Sequence, residues 1–90
     1  MVYKMYSFET ADNLKKKLAK LAKRNPKRVK IITKKIKQIL KNPCHFKPLK
    51  GDMRRARRVH VDNSFVLVYE IDEKNKIVKL LDYGHHDKIY

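Results

Sequence analysis

The chain has 90 residues, with 24 lysines and arginines against 9 acids, a formal net charge of +15. A 42% hydrophobic content supports one small globular domain over residues 1–90 and excludes a disordered chain. The single cysteine, Cys44, excludes an internal disulfide and fits a reducing compartment, and no apolar run is long enough to span a membrane.

Met1 to Phe8 is dense in aromatic and apolar residues, with Lys4 alone charged, and predicts a short strand. It carries no basic-then-apolar leader pattern, so a cytoplasmic protein is expected. Thr10 offers an N-cap. Leu14, Leu18, Leu21 and Ala22 follow at helical spacing, with lysines on the opposite faces. Asn25-Pro26 ends that helix and opens another, Asn25 as cap and Pro26 in the first turn. Val29, Ile32, Ile36, Ile39 and Leu40 form the second stripe, and Asn42-Pro43 stops it. With almost no linker, the helices should make an antiparallel hairpin over a common sheet. Cys44 to Arg55 reads as a loop.

The apolar period then changes from 3.6 to 2. Ala56 to Asp62 predicts a strand that sends Val59 and Val61 to the core and Arg58, His60 and Asp62 the other way. Asp62-Asn63-Ser64 is a turn. Phe65 to Ile71 is nearly all apolar, as in a central strand covered on both faces. Asp72 to Asn75 is a second turn, and Ile77 to Leu81 the last strand. The expected fold is α+β: a small antiparallel sheet with a helical hairpin on one face, in the order β-α-α-β-β-β.

A charge of this sign attracts polyanions and binds phosphates by counterion release, which makes nucleic acid the first partner and an acidic protein the second. Lys47, Lys50, Arg54, Arg55, Arg57 and Arg58 cluster around Gly51 and suit a phosphate backbone. His60, between an arginine and an acid, suits proton transfer near neutral pH. Two further histidines, His85 and His86, stand almost at the C-terminus. The adjacent pairs Cys44-His45 and His85-His86 lack metal-ligand spacing, and neighbours on an extended chain point apart. No metal and no cofactor are expected, and no Gly-rich phosphate loop is present. A cationic surface bearing histidines and a terminal aromatic, Tyr90, is what metal-free RNA cleavage requires. A base removes the 2′-OH proton, an acid protonates the leaving 5′-oxygen, and cations hold the added phosphorane charge.

"PLKGDMRRAR", "FVLVYEID" and "GHHDKIY", in this order, resemble the RelE/ParE toxin superfamily, archaeal RelE and the YafQ branch above all. The resemblance covers nearly the whole chain. It implies a microbial-RNase-like sheet with a helical hairpin. It also implies the toxin half of a type II toxin–antitoxin pair, cutting mRNA on the ribosome and restrained by a RelB-like antitoxin. Many RelE-like chains end in G-H-R-x-x-V-Y; here His86 replaces the arginine, as in the YafQ branch, and Tyr90 supplies the terminal aromatic. His60 matches a histidine of that branch. Val66 stands where RelE proper has an arginine, and Lys47 where the branch has a histidine. The resemblance therefore implies His60 and His86 in acid–base roles, with Arg58 beside them, Tyr90 stacking or orienting a base, and His85 pointing away. A ParE-like toxin acting on gyrase and a non-catalytic basic RNA-binding protein are the alternatives.

Overall fold

The computed structural model describes residues 6–43 and 56–87. Its elements are β1 (Ser7–Thr10), α1 (Asp12–Arg24), α2 (Pro26–Lys41), β2 (Ala56–His60), β3 (Phe65–Asp72) and β4 (Ile77–His85). The expected order β-α-α-β-β-β is the one observed. The sheet order is β1-β4-β3-β2. β2, β3 and β4 form an antiparallel meander, while β1 joins the β4 edge in parallel, so the sheet is mixed and not purely antiparallel.

Both helices form where the apolar period predicts. Leu14 of α1 and Ile32, Ile39 and Leu40 of α2 are buried in one cluster with Val59, Val61, Leu67, Tyr69, Val78, Leu80 and Tyr83 of the sheet side. Leu18, Leu21 and Ile36 pack at its margin, whereas Ala22 is exposed. Asp12 in the first turn of α1 and Lys23 and Arg24 in its last turn complement the helix dipole. Asn25 caps α2 as expected, its side chain accepting from the Arg28 N–H at 3.1 Å. Thr10 does not cap α1. It is the last residue of β1, paired with Leu80, and the cap position falls to Ala11, whose N–H is taken by the Leu80 carbonyl. Ladder hydrogen bonds thus displace the local cap.

β3 is one of the two interior strands, beside β4, with Val66, Leu67, Val68 and Tyr69 all buried. Leu67 and Tyr69 face the helices. Val68 joins Ala56 and Leu81 in a smaller cluster on the second face. A register shift between β3 and β4 pairs Val68 with Asp82 and Tyr69 with Leu80, leaving Leu81 as the extra residue of a bulge. β2 is shorter than expected, ending at His60. Val61 is nonetheless buried, its N–H bonded to the Phe65 carbonyl at 2.9 Å. Both predicted turns form around aspartates. Asp62 accepts from the Ser64 and Phe65 N–H groups, and Asp72 from the Asn75 backbone and side chain.

The Tyr69 hydroxyl, on a fully buried side chain, donates to the Pro43 carbonyl just past α2, tying the hairpin's exit to β3. Tyr69→Phe keeps the ring and strands a buried carbonyl, which costs about 1–3 kcal/mol. Urea denaturation should show the midpoint falling with an unchanged slope; an unchanged midpoint would mean that the bond contributes nothing net.

Candidate active site

The Asp62–Phe65 turn and the C-terminal end of β4 meet at one end of the sheet. His60 ends β2 opposite Val66, and Val66 lies opposite Gly84. Arg58 pairs with Val68, so Arg58 and His60 share the face turned away from the helices. Arg57 pairs with Tyr69 and therefore belongs to the helix-side face. The pleat splits these two arginines that the sequence places together. Asp62 does not share a polar strand face with His60. It lies beyond β2, and its carboxylate sits 3.2 Å from the Arg28 Nε of α2. Lys47, Lys50, Arg54, Arg55 and Tyr90 lie outside the described residues, as does the whole Cys44–Arg55 loop.

His85 pairs with Phe65 in the ladder, and its ring meets the Phe65 ring edge-on, with centroids 5.6 Å apart. His86 follows in a turn, its N–H held by the Ser64 carbonyl at 2.9 Å. The two imidazoles do not diverge. They stack, with centroids 4.8 Å apart and 26° between planes. Alternation applies only while the chain stays extended, and it leaves the strand after His85. Asp87 completes the turn. Its carboxylate is 2.9 Å from His86 Nδ1 and 3.5 Å from His85 Nδ1, and its N–H donates to His85 Nδ1 at 3.3 Å. His85 and His86 are half-exposed and Asp87 is exposed. Asp87 was not expected as a site residue. Its place beside two histidines was visible, but its reach to both rings depends on the turn.

His60 ends β2, and His86 follows the end of β4, with β3 between those two strands. Two strand spacings of about 4.8 Å put nearly 10 Å between the backbones of His60 and Gly84, with His86 two residues further on. They share one end of the sheet without being adjacent.

A second group buttresses this end from the helix side. The Arg28 guanidinium lies 4.2 Å from the Phe65 ring centroid, and Phe65 stacks on Tyr83 at 5.4 Å. Burial pushes the Tyr83 phenol upward, while Arg28 beside it pulls it down. Asp62 is held below the ordinary carboxylate range, first by the Ser64 N–H; burial opposes this, and the Phe65 N–H and Arg28 add to the lowering. Arg28 sits in the first turn of α2, where the dipole disfavours a cation, and Asp62 offsets that.

The chain matches, over residues 8–90, the family described as the ParE toxin of type II toxin–antitoxin system, parDE. It is 48% identical over 86 residues to the "Putative toxin RelE4" of Methanocaldococcus jannaschii, covering 96% of this chain and 92% of that one. The YoeB/ParE toxin from Agrobacterium tumefaciens superposes with a TM-score of 0.80 at 15% identity, over 89% of this chain and 98% of the other. The E. coli DinJ-YafQ toxin-antitoxin complex contains a chain with a TM-score of 0.75 at 19% identity, over 97% and 99%. At those identities the structures establish the fold alone. The protein belongs to the ParE toxin family, within the RelE/ParE superfamily, and is a toxin of the toxin–antitoxin kind.

A lowered aspartate pKa makes stability depend on pH with a definite sign. The Asp62 contribution is complete above its ordinary value of 3.8 and is lost as pH falls through that value towards the lower folded one. Asp62→Ala should destabilise the fold by about 1–3 kcal/mol at pH 7, through loss of the turn hydrogen bonds and the Arg28 pair. Its stability should also fall less steeply below pH ~4 than that of the parent. Denaturant midpoints measured from pH 7 to 2 check both; parallel curves would assign the acid sensitivity to other carboxylates.

Proposed function

We propose that this toxin is a metal-independent endoribonuclease that cleaves mRNA on the ribosome by 2′-OH attack, with His86 and His60 as its proton-transfer residues. The observation that carries the reading is the Asp87 carboxylate 2.9 Å from His86 Nδ1, at the sheet end that also holds His60. A carboxylate there favours the proton on Nδ1 and leaves Nε2 to exchange protons with a substrate. Arg58, on the face of His60, supplies positive charge for the phosphate. In-line chemistry places the attacking and leaving oxygens on opposite sides of phosphorus, so two proton partners at one sheet end can flank a phosphate without touching each other. Lys47, Lys50, Arg54 and Arg55 serve the RNA backbone, Arg57 stands on the other sheet face, and Tyr90 stacks on or orients a base. The base and acid roles of His60 and His86 are interchangeable on this geometry.

The partners are the ribosome, mRNA and a RelB-like antitoxin, and the protein works in the cytoplasm. The toxin–antitoxin complex among the solved relatives supports the antitoxin. A net charge of +15 calls for an acidic partner segment across the arginine and histidine surface, which would also speed association. Among the described residues no helix is long and apolar enough to cross a membrane.

The test is single-turnover cleavage of ribosome-bound mRNA. His86→Ala and His60→Ala should each slow cleavage by about 10²–10⁴ with substrate binding retained. Asp87→Asn should lower the rate and alter its pH profile without weakening binding, whereas His85→Ala should do much less than His86→Ala. Tyr90→Ala should cost about 1–3 kcal/mol. Products should end in a 2′,3′-cyclic phosphate or 3′-phosphate and form in the presence of a transition-metal chelator. Full activity in His86→Ala would remove the C-terminal turn from the chemistry. The family's ParE designation favours one other reading, a toxin acting on gyrase without cutting RNA. Growth arrest with intact mRNA and inhibited DNA supercoiling would establish that reading instead.

A further inference from the structure

The donor set formed by His85, His86 and Asp87 has the chemistry of a transition-metal site, and its geometry points to one: a site for a borderline-soft divalent cation of the zinc or nickel class. One ligand atom from each of the three residues lies within 4.8 Å of the others. Two imidazoles and one carboxylate form a set that suits zinc, nickel and copper and is poor for magnesium or calcium, which require oxygen ligands. Three donors leave room for water at the remaining positions, so the site is an open one.

Contacts that do not involve a metal bring the donors together. The His85 ring lies against the Phe65 and His86 rings. The Ser64 carbonyl holds the His86 backbone. The Asp87 carboxylate already lies beside both Nδ1 atoms, where a cation would take the place of the proton at His86 Nδ1. Zinc ligands at about 2.0–2.1 Å from the ion sit roughly 3.3 Å from one another in a tetrahedron. The widest donor pair must therefore close by about 1.5 Å, a side-chain rotation open to half-exposed residues in a turn. The net charge of +15 opposes a cation, and Asp87 is the local charge that offsets it. Binding needs unprotonated imidazoles and so strengthens as pH rises.

The site stands on donor geometry and does not depend on RNA cleavage. Where His86 also transfers protons, as in the reading above, an occupied site withdraws it from that work and the metal acts as an inhibitor.

The experiment is a zinc titration of the full-length, metal-stripped chain by calorimetry and by NMR of the histidine rings, with magnesium as control. Expected are saturation at one equivalent, perturbed His85 and His86 signals with His60 unchanged, and no saturable response to magnesium. His85→Ala and Asp87→Ala should each weaken binding by about tenfold or more while their backbone amide spectra remain those of the folded parent. No saturable zinc binding, a principal response at His60, or undiminished affinity in either folded variant would overturn the site. Zinc binding without RNase activity would leave it intact and sink the cleavage reading alone. RNase activity without zinc binding would do the reverse.

Discussion

The fold depends on burying β3. Val66, Leu67 and Tyr69 of that strand have no accessible surface, and Val68 almost none. They are flanked by β2 and β4, and the helix-side residues lie under Leu14, Ile32 and Ile39. A chain of this charge repels itself, so its compact state relies on apolar burial gathered in one place. That strand also stands between β2, which ends at His60, and β4, which leads into His86.

The helical hairpin does more than cover the sheet. Arg28 crosses from the first turn of α2 to the Phe65 ring and the Asp62 carboxylate. Phe65 stacks on Tyr83 and meets the His85 ring, which stacks on His86. A continuous series of contacts thus runs from the helix to the C-terminal turn. At the other margin Lys17 of α1 reaches Asp82 at 2.6 Å and the Tyr83 carbonyl at 3.2 Å. The Lys17–Asp82 pair is exposed, so it orients the end of β4 more than it stabilises the fold.

The C-terminal turn brings two chemistries into one place. A carboxylate beside an imidazole steers a proton, and the same carboxylate beside two imidazoles suits a metal. Both follow from the chain leaving the strand at His86, which lets consecutive side chains converge. On the proposed metal site, protonation and metallation would compete for the same nitrogen.

The apolar periods were enough to place two helices, the strands β2 to β4 and the two Asp-centred turns, because 3.6 and 2 are local properties of the chain; they did not show that β4 runs past Leu81 to His85. The Asn25-Pro26 boundary was equally legible, since cap and proline act within one turn. The end of β2, the failed Thr10 cap and the parallel placement of β1 were not. Each is decided by which backbone groups the neighbouring strand takes, a non-local matter. Residue type and strand parity marked Arg58 and His60 in the sequence, and the resemblance of the C-terminal GHHDKIY to the RelE/YafQ branch marked His86. Only the tertiary structure separated Arg57 from Arg58, turned Asp62 towards Arg28, stacked His85 on His86 and brought Asp87 to both. Those outcomes follow from strand register and from where extended backbone gives way to a turn, and the energies that choose them come from residues far apart in the chain.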